Sequence, residues 1–152
     1  MKHYYQAAIL FFLIVSTDTT ADSTFDLSEF HGKVVVLDFW ASWCVPCRRS
    51  FPWMNTMQEK YADGGLVIIA ANVDTDPAAA SAFLEEYPAQ FRIINDPDAE
   101  LAREYGVVAM PSSYIFDRGG ELITKHLGFK VKKQDEYEAI LVEALETDKE
   151  RQ

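Results

Sequence analysis

The sequence predicts one α/β domain built on a mixed central sheet, and three observations lead to that class. Residues 34–39 (VVVLDF) and 66–71 (LVIIAA) are continuous apolar, β-branched runs of the kind found in strands covered on both faces. Segments carrying helix cap signals separate these runs, so the early strands are expected to be parallel. The last third holds two strands joined by a tight turn and then an amphipathic helix. The chain has 152 residues, which suits one domain with a sizeable core.

The elements follow in order. Gly32-Lys33 makes a turn before the first strand, 34–39. A helix is expected to begin at or just after Cys44 and to run to Tyr61, where Asp63-Gly64-Gly65 stops it. Strand 66–71 comes next. Asp76-Pro77 then supplies an N-cap and a proline at the first helical position for a helix through Tyr87. A short strand is expected over 91–94. Asp96-Pro97 repeats the cap signal for a helix ending near Tyr105, with Gly106 suited to the left-handed position beyond it. Strands 113–116 and 121–126 flank Asp117-Arg118-Gly119-Gly120. The final helix spans 134–146, and Tyr137, Ile140, Leu141, Ala144 and Leu145 share one of its faces.

The first 21 residues read differently. A single lysine and a short polar lead precede the nine-residue apolar run 7–15, the pattern of a secretory signal. That run is short for a membrane span, which needs about 20 apolar residues. The expected division is therefore a signal peptide over 1–21, cleaved after Thr19-Thr20-Ala21, and one domain over 22–152. An N-terminal β-strand and an uncleaved membrane anchor are the alternatives. A signal or an anchor places the domain outside the cytoplasm, in a bacterial periplasm, where disulfides persist. The net charge of −10 leaves no basic stripe for phosphates and argues against a nucleic-acid partner.

Chemistry concentrates in WCVPC, residues 43–47, which contains both cysteines of the chain. A structural zinc site needs four ligands, and the three histidines, His3, His31 and His126, are scattered; His31 and His126 read as surface residues. No metal and no cofactor is expected. A structural disulfide closing so small a loop removes little chain entropy. Haem attachment requires histidine where Arg48 stands. A redox dithiol remains. Where a buried strand gives way to a helix start, backbone N–H groups and the helix dipole stabilise a thiolate, so Cys44 is the expected nucleophile. Cys47 is placed to resolve the mixed disulfide. Pro46 is expected in the first turn, where its missing N–H costs nothing.

VVLDFWASWCVPC followed by RRSFP resembles the active-site segment of the thioredoxin superfamily, most of all the secreted TlpA/ResA-like thiol-disulfide oxidoreductases. The resemblance runs from Phe25 to Leu145. It implies a thioredoxin fold: parallel strands, a C-terminal antiparallel hairpin and helices on both faces. It assigns attack to Cys44 and resolution to Cys47, which would form the redox-active disulfide. Asp38 matches the buried acid that deprotonates the resolving cysteine, Pro52 a helix-kinking proline, and Met110-Pro111 the cis-proline that aligns substrate backbone. Trp43, Val45, Pro46, Met110 and Pro111 are the expected substrate contacts. Ser50 departs from the pattern, because many relatives carry glutamate there.

The expected activity is thiol-disulfide exchange on disulfide-bearing client proteins, by a monomer recharged from a membrane-linked thiol donor. The absence of histidine between the cysteines favours a reductant, with a potential nearer the roughly −270 mV of thioredoxin than the roughly −120 mV of a strong oxidant. Two rival readings compete with this one. A peroxiredoxin-like peroxidase would carry Thr or Ser where Ala41 stands. A redox-inert binding module would have no use for an intact cysteine pair at a helix start.

Overall fold

The computed structural model describes residues 25–147. The expected signal segment 1–21 lies outside them. Five strands form one sheet in the order β3-β2-β1-β4-β5. β1 (Val34–Trp40) lies at its centre, parallel to β2 (Leu66–Asn72) and antiparallel to β4 (Ser112–Phe116). β3 (Arg92–Asn95) runs parallel to β2 at one edge, and β5 (Leu122–Leu127) runs antiparallel to β4 at the other. All seven residues of β1 are buried, as a strand covered on both faces requires.

Alternation along β1 divides the core. Val34, Val36 and Trp40 pack with Cys47, Phe51, Met54 and Met57 of α1 (Cys47–Tyr61) and with Leu141, Ala144 and Leu145 of α4 (Gln134–Thr147). Phe83 of α2 (Pro77–Glu86) joins this side, its ring 4.7 Å from Trp40 and 5.0 Å from Phe51. Val35, Leu37 and Phe39 face the other way. They meet Tyr114, Phe116 and Ala102 of α3 (Glu100–Glu104), with Phe25 and with Leu27 and Phe30 of an N-terminal 3₁₀ turn. Helices therefore cover both faces, and the C-terminal hairpin is antiparallel, as expected from the pattern.

Three local expectations need correction. Pro46 is the residue before α1 rather than a member of its first turn, though its φ of −63° is already helical. The Asp96-Pro97 signal does not open a helix directly. α3 starts at Glu100 after Ala99 in a left-handed conformation, and the Asp96 carboxylate reaches forward to accept from the N–H groups of Leu101 and Ala102. Asp96 thus caps the helix from further upstream than a side-chain N-cap normally sits. His126 is not a plain surface residue: it is half-buried, and its Nε2 is shut from solvent with no hydrogen-bond partner.

Arg118, in the turn between β4 and β5, ties distant segments together. Its guanidinium donates to the carbonyls of Gly32, Gly64 and Leu145. Three backbone acceptors, two from turns and one from the last turn of α4, thereby share one planar donor set.

Candidate redox site

The site forms where β1 ends. Trp40 is the last strand residue, Ala41 to Pro46 turn back at the C-terminal end of this central strand, and Cys47 opens α1. The turn is held by Asp74, just past β2. Its carboxylate accepts from the Ser42 N–H at 2.8 Å and the Ser42 hydroxyl at 2.9 Å, while Asn72 Nδ2 donates to it at 2.8 Å. The Asp74 N–H in turn donates to Asn72 Oδ1. Sequence reading missed this clamp. The polar residues ending an otherwise apolar strand, Asn72 and Asp74, were the available signal.

Cys44 and Cys47 form a disulfide, with their Cα atoms 5.3 Å apart. The Cys47 N–H points at Cys44 Sγ at 3.3 Å, a donor that would favour the thiolate once the bond is reduced. Cys47 has no exposure, whereas Cys44 keeps 3%, so an incoming group can reach only Cys44. Around that opening Trp43 is 65% exposed and Val45 54%. Pro46 is half-buried beside them. The Met110–Pro111 peptide bond is cis. Pro111 is buried, and Met110 packs on the cluster that contains both cysteines. Val108 in the same loop is 82% exposed.

Asp38 is fully buried, and the alternation along β1 puts it on the α1 side with Val36 and Trp40. Among the described residues it has no charged partner. The Ser113 hydroxyl donates to its Oδ1 at 2.5 Å, and its Oδ2 has none. Desolvation outweighs that single hydrogen bond and pushes the carboxyl up to about 7. Ser113 was not singled out from the sequence. A buried acid demands a donor, and strand pairing puts Ser113 directly opposite Asp38. Ser50, at the position of the expected glutamate, is buried and donates to the Cys47 carbonyl. Among the described residues no group of three His, Cys, Asp or Glu side chains is placed to hold a metal ion.

A mixed five-stranded sheet with a CxxC disulfide at the start of its first long helix and a cis-proline before β4 defines a thioredoxin-fold protein. The Redoxin family matches residues 13–141, and the chain belongs to that family, as a ResA-like member of the thioredoxin superfamily. It is 36% identical over 113 residues to thiol-disulfide oxidoreductase ResA of Bacillus thuringiensis subsp. konkukian, a match covering 74% of this chain and 65% of that relative. The chain therefore spans just under two thirds of that relative's length. Among solved structures it resembles a Chlorobium tepidum protein carrying the name thiol:disulfide interchange protein DsbE, with a TM-score of 0.76 and 45% identity over 78% of this chain and 84% of the other. The exposed lipoprotein thioredoxin Etrx1 of Streptococcus pneumoniae is similar at a TM-score of 0.67 and 28% identity, over 78% of this chain and 90% of that one.

Proposed function

We propose that the protein is an extracytoplasmic thiol-disulfide oxidoreductase that reduces disulfides in client proteins. One observation carries this reading: the cysteine pair sits at a helix start, with only Cys44 open to solvent. The names of the relatives support the same chemistry.

In the reduced protein the Cys44 thiolate attacks one sulfur of a client disulfide. The S–S bond breaks, the first client thiolate leaves, and a mixed disulfide joins client to Cys44. Asp38 then takes the proton of the Cys47 thiol. The Cys47 thiolate attacks Cys44 Sγ, the second client thiolate departs, and the intramolecular disulfide is restored. Two electrons pass to the client, and a membrane-linked thiol donor returns them. A carboxyl near 7 is matched to this work, because it accepts and releases protons at neutral pH. Trp43, Val45, Pro46, Met110 and Pro111, joined by Val108, would form the client-binding rim. Residues 1–21 would act as a secretory signal, and the domain would work as a monomer.

Insulin-disulfide reduction tests the reading. Wild-type protein recycled by dithiothreitol is expected to precipitate the insulin B chain, and Cys44→Ser is expected to be inert. Equal activity in both would refute it. For the direction, a glutathione or dithiothreitol titration should place the potential nearer roughly −270 mV than roughly −120 mV.

A further inference from the structure

Three side chains form a polar row across the α1 side of the sheet. Asp38 in β1 pairs with Ser113 in β4, and Ser113 pairs with His126 in β5. Directly paired residues project to the same face with their Cβ atoms about 5 Å apart. The row therefore runs from a fully buried acid to a half-buried imidazole on an edge strand.

The surroundings of His126 give the row a direction. On its inner side is a cavity of about 20 Å³, also lined by Ser50, Ser113 and Tyr137. The rest of the lining is mainly apolar, with Trp53, Met54, Ile68 and Phe129, and the space has room for one water against Ser113 and His126. His126 Nε2 is buried and has no hydrogen-bond partner among the described residues. On its outer side the same residue lines an open hollow of about 240 Å³, with Lys130, Lys133, Glu136 and Tyr137. His126 thus stands between a small, mainly apolar cavity that Ser113 also lines and an open hollow at the surface.

We propose that His126 is the outer end of a proton relay in which Ser113 passes protons between Asp38 and a solvent-facing imidazole. The proposal rests on the proton-accepting role of Asp38 given above. After Cys47 has yielded its proton, protonated Asp38 donates to Ser113 Oγ. Ser113 gives up its own hydroxyl proton to His126 Nε2, directly or through a water in the cavity. The imidazolium then releases a proton to the outer hollow. One proton moves from Cys47 to solvent, and no electrons move along the row. The groups facing His126 favour quick release: burial and the nearby Lys133 ammonium both hold its pKa below the usual histidine value. Glu136 is engaged by Lys133 at 2.7 Å, and the Tyr137 ring packs on the imidazole tilted by 58°, with 4.8 Å between ring centres.

The test isolates the resolving step. The full-length protein is charged at Cys44 with thionitrobenzoate, and release of the chromogenic thiol by Cys47 is followed by stopped flow from pH 5 to 9. His126→Gln should slow release about tenfold at pH 7 and shift its pH profile, while the rate at which Cys44 is charged stays unchanged. Ser113→Ala should slow release too, and Ser113→Thr should restore it. In an Asp38→Asn background, His126→Gln should have no further effect. A wild-type profile in His126→Gln while Asp38→Asn is slow would overturn the relay and leave the Asp38 role standing. Wild-type release in Asp38→Asn would overturn that role and the relay with it.

Discussion

Ser113 Oγ donates to Asp38 Oδ1 at 2.5 Å, while Asp38 Oδ2 has no partner inside a fully buried site. The carboxylate is thus half-satisfied, and its proton is retained to about pH 7. The unfolded chain releases that proton near 3.8, so the folded state holds more protons between those values. Folding stability contributed by this group is present at low pH and is lost as pH rises through about 7. Asp38→Asn should therefore stabilise the oxidised protein progressively from pH 4 to pH 7 and level off above, by roughly 2–4 kcal/mol. Urea midpoints at pH 4.5 and pH 8.5 check this. A pH-independent difference would contradict it.

The Asp74–Ser42 clamp fixes the turn that carries Cys44, through two hydrogen bonds to Ser42. Asp74→Ala should cost about 1–3 kcal/mol, because it strands a part-buried N–H and hydroxyl. It should also lower insulin reduction, since the nucleophile loses its support. Denaturant melts and turnover on the same preparations measure both. Full activity in a destabilised variant would show that the clamp serves stability alone.

Trp43 presents a large apolar face beside Cys44, the more accessible of the two cysteines, at 65% exposure. It can lie against a protein client but adds little for a small disulfide. Trp43→Ala should raise KM for insulin about tenfold, equivalent to about 1.4 kcal/mol, with charging by a small aromatic disulfide little changed. Equal effects on both substrates would assign Trp43 to the chemistry instead.

Gly65 has a φ of +96°, and a Cβ there would sit 2.6 Å from Arg118 Nη1. Alanine would combine left-handed strain with displacement of the guanidinium from the Gly32 and Gly64 carbonyls. Gly65→Ala should cost roughly 2–4 kcal/mol. Gly128, with a φ of +73° and open space around it, should cost only about 1 kcal/mol on the same change. Thermal melts of the two variants separate the contact from the conformation.

The strands and long helices were legible because their signals are local: an apolar run, a cap, a glycine stop. Val34 to Phe39 could hardly be anything but a covered strand. The start of α3 differs from the expectation because the Asp96 carboxylate caps N–H groups five and six positions on, a geometry that tertiary burial of Asp96 selects. The cysteine pair and Asp38 stood out, since their residue types conflict with a bland core. Ser113, Asp74 and His126 did not. Each acquires its setting only when strands far apart in sequence are laid side by side, and register is not written in any one of them.

The central claim, that Cys44 attacks and Cys47 resolves, is tested most directly by trapping. Cys47→Ser protein, reduced and mixed with a disulfide-bonded protein such as insulin, should accumulate a mixed disulfide that peptide mass spectrometry places on Cys44. Cys44→Ser should accumulate none, because Cys47 is closed to solvent. An adduct on Cys47 in the Cys44→Ser protein, or none in Cys47→Ser, would contradict the account.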